Sequence, residues 1–349
     1  MTRLASKLKS LIRAGGPMPV SAYMNACLHD PEHGYYATRP GIGRDFITAP
    51  EISQVFGEML GLWALHEWQA LGSPERFSLV EAGAGRGTMM DDMMRAVRQA
   101  NGGQGFDVAI NEASPVYSAA QKERLSDLHP SFLGAFQSIG EAPFILIANE
   151  WLDCLPARQF VQSDGDWHEK VVGLDDQGDL AIGIATDKAN APAFEMRDGA
   201  TSFEVQPALE TLVDVLKDAF SVVPGRALFI DYGVSEGAPG DTLRAFQRGL
   251  QVGPLALPGS SDLTVDVDFG RLRRLAEKAG LSVHGPVEQG PFLMGLGVEA
   301  RMHALIRANQ GRAEEIYKGV TRLVDPAEMG RRFKVICLSA PGLAAPVGF

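Results

Sequence analysis

Ser78-Leu79-Val80-Glu81-Ala82-Gly83-Ala84-Gly85-Arg86-Gly87 is the stretch that decides the fold. Residues 78–81 form a short buried strand ending in an acid. The alternating glycines after it allow a tight turn and let backbone N–H groups come close to a ligand. A helix is predicted over 88–99. Working outward, 106–112 reads as a second strand and 115–128 as a second helix, with Pro115 suited to its first turn. Residues 132–136 read as a third strand. Pro143-Phe144-Ile145-Leu146-Ile147-Ala148 is the clearest apolar strand of the chain. Strands and helices alternating at these lengths imply a parallel sheet with right-handed crossovers.

Further out the alternation breaks. Residues 158–185 hold three alternating apolar and polar runs separated by Asp-Gly and Gln-Gly turns, which reads as an antiparallel excursion. A helix at 207–220 and a fifth strand at 226–231 return the chain to the sheet. A Gly/Pro-rich loop at 233–258, long enough to be functional, a helix at 268–279, more helix and a last strand at 333–339 follow. Before the glycine turn, the first 75 residues read as helices around a Pro/Gly-rich loop. Val55, Phe56, Met59, Leu62, Trp63 and Leu65 recur at helical spacing within 52–71, and Gly72-Ser73-Pro74 ends that helix. Residues 1–13 are basic, with Leu4, Leu8, Leu11 and Ile12 on one face, and read as a docked amphipathic helix. The fold class expected is α/β: a Rossmann-like core over 76–157 and 206–349, an N-terminal helical cap over 1–75, and an inserted antiparallel β subdomain over 158–205 read as a substrate-binding region.

Composition sets outer limits. The chain has 349 residues, 45% of them apolar and 21% charged, which is enough apolar matter for a core. A net charge of −11 argues against a dedicated nucleic-acid binder, which needs a basic field. No apolar run approaches the roughly 20 residues of a membrane span. Cys27, Cys154 and Cys337 lie far apart, so a disulfide framework is not expected and a reducing cytoplasm fits. Cys27, His29 and His33 lack a second ligand pair at a recognisable spacing, so no metal site is assigned.

The glycine turn reads E-x-G-x-G-x-G. This is not the G-x-G-x-x-G of dinucleotide binders, and no Tyr-x-x-x-Lys or similar pair accompanies it, so a dinucleotide oxidoreductase is set aside. It resembles the first motif of class I S-adenosylmethionine-dependent methyltransferases, in which the loop passes under the methionine end of the cofactor. The resemblance makes Glu81, Gly83, Gly85, Gly87 and the following Thr88 candidate cofactor residues. The second strand ends Ile110-Asn111-Glu112-Ala113-Ser114. A carboxylate at such a tip can accept two hydrogen bonds from ribose hydroxyls, so Glu112 is the ribose candidate, while Ser114 fits a helix cap. Ser138-Ile139 is where the adenine ring would lie. The fourth strand runs into Asn149-Glu150-Trp151-Leu152-Asp153-Cys154-Leu155-Pro156. These acids stand at the carboxyl edge of the sheet, where ligands bind in open α/β sheets. An Asn-Glu pair directly after a buried strand is costly unless it binds something; the alternative is a helix cap with a first-turn acid.

Gly34-Tyr35-Tyr36, Asp45-Phe46-Ile47-Thr48-Ala49-Pro50-Glu51-Ile52-Ser53, Phe56-Gly57-Glu58, the glycine turn, Asn149-Glu150 with Asp153 and Pro156, Phe229-Ile230-Asp231-Tyr232-Gly233 and Gln289-Gly290-Pro291-Phe292-Leu293 follow one another in a recognisable order. On these blocks the chain resembles the MidA family, which includes the mitochondrial assembly factor of respiratory complex I. The resemblance runs from about residue 17 to residue 339, and Thr48-Ala49-Pro50-Glu51-Ile52-Ser53 is its most specific part. The first motif departs from the family in opening Glu-Ala-Gly-Ala rather than Glu-Leu-Gly-Pro.

The resemblance implies an S-adenosyl-L-methionine-dependent protein arginine methyltransferase. Its acceptor would be an arginine of a complex I core subunit or similar protein, in a bacterial cytoplasm or, in a eukaryote, the mitochondrial matrix. Glu150 becomes the first choice to hold the guanidinium, because Asn-Glu-Trp is similar to the Ser-Glu-Trp of other arginine methyltransferases. Asp153 or Glu51 is the second carboxylate. Asp231 accepts a proton, orients Tyr232, or merely ends a strand. Asn149 joins the cofactor set, and Tyr36, Phe46 and Thr48 form a lid over the cofactor or pack the cap. A small-molecule methyltransferase and a non-catalytic cofactor-binding assembly chaperone are the alternatives.

Overall fold

Phe77, Leu79, Val80 and Ala82 of strand β1 (Phe77–Ala82) are all buried. Continuous burial on both faces is what a parallel strand between helical layers requires. The computed structural model describes residues 2–39, 41–43, 45, 47–134, 139, 142–189, 199–237 and 240–349. Around β1 the sheet contains β2 (Phe106–Asn111), β3 (Ser131–Leu133), β4 (Phe144–Asn149), β5 (Gly225–Val234), β6 (Ser282–Glu288) and β7 (Phe333–Ser339). Their order is β3-β2-β1-β4-β5-β7-β6. The first five run parallel, and β7 lies antiparallel between β5 and β6.

The register places the chemistry. Ala82 pairs with Asn111 on one side and Ala148 on the other, and Ile230 pairs with Asn149. Gly83, Glu112 and Glu150 therefore leave the sheet along one edge, and Asp231, still paired with Lys334, follows Ile230 on β5 at that edge. The chain builds outward from β1 to β3 and then crosses back to β4. The edge between β1 and β4 is thus the topological switch point, where open α/β sheets bind ligands.

Two compact units emerge: Met1–Phe46, Asp153–Thr211 and Gly233–Leu272 form one; Ile47–Leu152, Leu212–Tyr232 and Arg273–Phe349 form the other. The second carries the sheet through Tyr232 of β5. There helix α1 (Gln54–Ala70) packs on α2 (Thr88–Asn101). A Cβ on Gly61 would stand 2.4 Å from the Met93 carbonyl oxygen, so glycine is what lets the two backbones approach. α1 starts two residues later than the 52–71 expected, because Ser53 caps it by accepting from the Val55 N–H. Helix α3 (Pro115–Arg124) is capped by the Ser114 hydroxyl, as its sequence suggests.

In the first unit, the strands Arg158–Ser163, Asp166–Leu174 and Leu180–Lys188 form the expected antiparallel excursion, extended by Ser202–Val205 and Met18–Pro19. The helix Arg3–Gly15 buries Leu4, Leu8 and Ile12 but leaves Leu11 exposed, since the four-residue spacing excludes it from the buried stripe.

Four expectations need correction. The stretch 233–258 is not a plain loop: Arg244–Gln247 and Leu250–Val252 form a hairpin that pairs with Asp262–Thr264. Its turn residues Arg248 and Gly249 both have positive φ, a hairpin conformation usually marked by Asn or Asp at the first position. β6 was not expected at all; it contains Gly285-Pro286, which breaks the strand signal. The helix expected over 115–128 ends at Arg124 and continues as a 3-10 turn over Ser126–Leu128. The third strand is shorter than 132–136, and residues 135 and 136 lie outside the described ones. No helix among the described residues is long and apolar enough to cross a membrane.

Candidate active site

The turn after β1 holds Gly83, Gly85 and Gly87 at φ of 66°, 52° and 74°. All lie in the left-handed region, which only glycine enters without strain. The Gly85 N–H donates to Glu112 Oε2 at 3.1 Å, and the Ser114 N–H donates to Glu112 Oε1 at 2.8 Å. The Gln121 amide donates to the Gly85 carbonyl at 2.8 Å and to Glu112 Oε2 at 3.1 Å. Burial pushes the Glu112 carboxyl above its ordinary range, against the pull of these donors. Glu81 sits deeper. Burial, reinforced by the charge of Glu112, pushes its carboxyl well above the ordinary range, while the Met90 N–H partly offsets this. Its contact with the Met90 N–H links β1 to α2.

At the edge of β4, Glu150 has φ 51°, uncommon for a residue with a side chain. Its Oε1 accepts from the Ala49 N–H at 2.9 Å and from the Asn149 amide at 3.1 Å. Asn149 Oδ1 is buried with no partner among the described residues. Asp231 is fully buried. Its Oδ2 accepts from the N–H groups of Trp151 (3.0 Å) and Leu152 (2.9 Å), and its Oδ1 from that of Tyr232 (2.9 Å). This geometry makes Asp231 a fastener of the turn after β4. The ring of that turn's Trp151 lies directly on Gly83: a Cβ there would be 2.5 Å from Trp151 Cδ1.

The short helix Ala49–Ile52 begins at Thr48, whose carbonyl accepts from the Glu51 and Ile52 N–H groups. Glu51 accepts from the Thr88 hydroxyl at 2.7 Å and stands 3.7 Å from the Arg86 guanidinium. Both contacts tie this helix to the glycine turn and the start of α2.

The structure thus brings Thr48, Glu51, Glu81, Gly83, Gly85, Gly87, Thr88, Glu112, Asn149, Glu150 and Asp231 into the second unit, with half-buried Ile139 in the same unit. Tyr36 and Asp153 belong to the first unit. There the Tyr36 hydroxyl donates to Asp262 at 3.0 Å and the Thr264 hydroxyl to Asp153 at 2.6 Å. Phe46 and Ser138 lie outside the described residues. Sequence reasoning missed Ala49, Arg86, Gln121 and Trp151. Trp151 had a usable signal, since it directly follows the Asn-Glu pair; the others act through contacts distant in sequence.

With this geometry in place, comparison with known proteins is specific. The family described as "Putative S-adenosyl-L-methionine-dependent methyltransferase" matches residues 59–287. The chain is 36% identical to the protein arginine methyltransferase NDUFAF7 homolog, mitochondrial, of Drosophila melanogaster, covering 98% of this chain and 86% of that protein. It is 32% identical to the human protein arginine methyltransferase NDUFAF7, mitochondrial, with 97% and 83% covered. Among solved structures, a Burkholderia thailandensis protein crystallised with S-adenosyl-homocysteine superposes with a TM-score of 0.84 at 28% identity, covering 99% of this chain and 93% of that one.

Proposed function

This chain belongs to the S-adenosyl-L-methionine-dependent methyltransferase family, and from that premise we propose that it is a protein arginine N-methyltransferase whose acceptor guanidinium is held at Glu150. S-adenosyl-L-methionine is its cofactor, and the residues of the switch-point edge fit it. The three left-handed glycines keep side chains out of the turn, and Asn149 Oδ1 is a buried acceptor in want of a donor. We assign Glu81, Gly83, Gly85, Gly87, Thr88, Glu112, Ile139 and Asn149 to the cofactor side, with Glu112 on the ribose hydroxyls.

Bound there, the cofactor supplies a methyl group made electrophilic by its sulfonium. A guanidinium is a poor nucleophile, because it stays protonated and its lone pairs are delocalised. A carboxylate that binds two of its nitrogens draws positive charge toward them and leaves the third more nucleophilic, while fixing its direction of approach. The single observation that carries this reading is the placement of Glu150 at the switch point in a left-handed backbone conformation. Such strain persists where surrounding structure holds it, and it clusters at functional sites. Asp231 positions the turn that carries Trp151. Glu51 fastens the Ala49–Ile52 helix.

The relatives' names support an arginine-bearing protein as acceptor. We take that protein to be a core subunit of respiratory complex I or one similar to it, methylated in the bacterial cytoplasm or the mitochondrial matrix. The antiparallel strands within 158–205 are assigned to binding it, and Tyr36, Phe46 and Thr48 to a lid. The test is transfer of tritium from labelled S-adenosyl-L-methionine to a protein in a bacterial lysate. Glu150→Gln should abolish transfer while S-adenosyl-homocysteine still binds by calorimetry. Full activity in that variant would remove Glu150 from the chemistry, and label confined to low-molecular-weight acceptors would favour a small-molecule methyltransferase.

A further inference from the structure

Helix α3 buries only two residues, Tyr117 and Gln121, one helical turn apart. Gln121 is fully buried at a position where packing ordinarily selects an apolar side chain. Its amide nitrogen faces the Gly85 carbonyl and Glu112 Oε2. Neither of these atoms carries a proton at neutral pH when Glu112 is ionised, so both need a donor, and an amide NH2 has two to give. The opposite rotamer of the amide would set oxygen against oxygen, so the contacts fix its orientation. The consequence is that Gln121 Oε1 is left buried without a partner among the described residues. The unsatisfied atom calls for a physical reason, and the two contacts made by the amide nitrogen supply one.

We propose that Gln121 is a positioning residue for cofactor binding, tying the glycine turn and the Glu112 carboxylate to one amide so that the carboxylate meets the ribose hydroxyls in a fixed orientation. This rests on the assignment of Glu112 to the ribose. Glu112 stands at the end of β2 with few covalent constraints on its side chain. The Ser114 N–H restrains one oxygen, and the other is shared by the Gly85 N–H and Gln121. Removing Gln121 takes away one of the two donors on Glu112 Oε2, so that oxygen is held by the Gly85 N–H alone, and it leaves the Gly85 carbonyl without its amide donor. The loss of orientation at Glu112 is felt only by ligands that bear the ribose hydroxyls. A general loosening of α3 would instead weaken every ligand alike.

The experiment is calorimetric binding of S-adenosyl-homocysteine and of its analogue lacking the ribose 2′- and 3′-hydroxyls, to the wild type, Gln121→Leu and Glu112→Gln. Gln121→Leu should weaken S-adenosyl-homocysteine about tenfold, or ~1.4 kcal/mol, and leave the analogue's affinity within twofold. Equal weakening of both ligands, or of neither, overturns the inference. Glu112→Gln separates this failure from failure of the underlying assignment. If that variant also fails to discriminate between the two ligands, Glu112 does not hold the ribose; if it discriminates and Gln121→Leu does not, only the role of Gln121 falls. Should Gln121→Leu fold poorly, Gln121→Asn supplies the same comparison, because it keeps the amide but shortens its reach.

Discussion

Replacing Gly83 with alanine tests whether the glycine turn and the turn after β4 form one mechanical unit. Two terms contribute. An L-residue in the left-handed region costs about 1–2 kcal/mol, and Gly83 has φ 66°. The added Cβ would also stand 2.5 Å from Trp151 Cδ1, well inside the roughly 3.5–4.0 Å of ordinary carbon contact. The main-chain N–H of Trp151 is held by the buried Asp231 carboxylate at 3.0 Å, so relief must come from rotation of the ring or a shift of Gly83. Overpacking of this kind costs about 1–3 kcal/mol, so Gly83→Ala should destabilise the second unit by about 2–5 kcal/mol in total. In a Trp151→Ala background the clash disappears, and the same substitution should cost only about 1–2 kcal/mol. Denaturant unfolding followed by far-ultraviolet circular dichroism, on the four proteins of the cycle and with equal m values, gives the coupling directly. A coupling below about 0.5 kcal/mol would refute the claim that Trp151 is seated on Gly83.

Three other outcomes are expected. Asp231→Asn should destabilise the protein by about 2–5 kcal/mol and reduce methyl transfer with it, because an amide NH2 must face backbone donors in place of one carboxylate oxygen; thermal denaturation beside the activity assay checks both. Glu81, with its carboxyl raised well above the ordinary range, binds its proton more tightly folded than unfolded, so its contribution to stability is full at acid pH and is lost as pH rises through the raised value. Glu81→Gln should therefore flatten the decline of Tm as pH rises above the ordinary carboxylate range, and an unchanged slope would show that Glu81 is ionised in the fold. Arg226→Met should cost about 3–5 kcal/mol, since it removes the guanidinium 2.9 Å from the buried Glu67 and leaves that carboxylate only His66 and the Val347 N–H; chemical denaturation measures it, and a loss below about 1 kcal/mol would show that the pair contributes little.

Local signals carried much of the fold. Ser114-Pro115 marked a capped helix start, residues 333–339 delimited the last strand, and alternation across 158–185 gave the antiparallel strands, because each rests on neighbours in sequence. What sequence could not disclose is set by partners far along the chain. Asp231 looks like any acid at a strand tip; the Trp151 and Leu152 N–H groups that occupy it lie about eighty residues away. Gln121 precedes Lys122-Glu123-Arg124 and so reads as solvated, although its side chain turns inward to Gly85, 36 residues earlier. The hairpin at 244–252 was hidden because its turn uses Arg-Gly where Asn-Gly or Asp-Gly would have announced it.

Burial and donors separate acids that sequence alone puts on an equal footing. A carboxylate offers about four lone-pair sites, so one already saturated by main-chain N–H groups inside the protein has little capacity for an incoming cation and cannot reorient to meet it. Asp231 is fully buried with three of those sites taken by main-chain N–H groups, and its burial keeps it from an incoming cation. Glu81 fails for a different reason: burial favours its neutral form, and a neutral acid does not draw charge from a guanidinium. Glu51 faces a cation already, the guanidinium of Arg86. Glu150 differs from all three within this unit. It is half-buried at the end of β4, its Oε1 is anchored by a main-chain N–H and a side-chain amide, and its backbone is left-handed. Anchoring one oxygen fixes the plane of the carboxylate, which is what bidentate recognition of a planar cation demands. On that reasoning Glu150→Asp, which keeps the charge but shortens the arm by one methylene, should lose the Ala49 contact and most of the transfer rate even though the negative charge remains, with cofactor affinity unchanged. A variant that retained more than half the rate would mean that charge at this edge suffices and orientation does not matter.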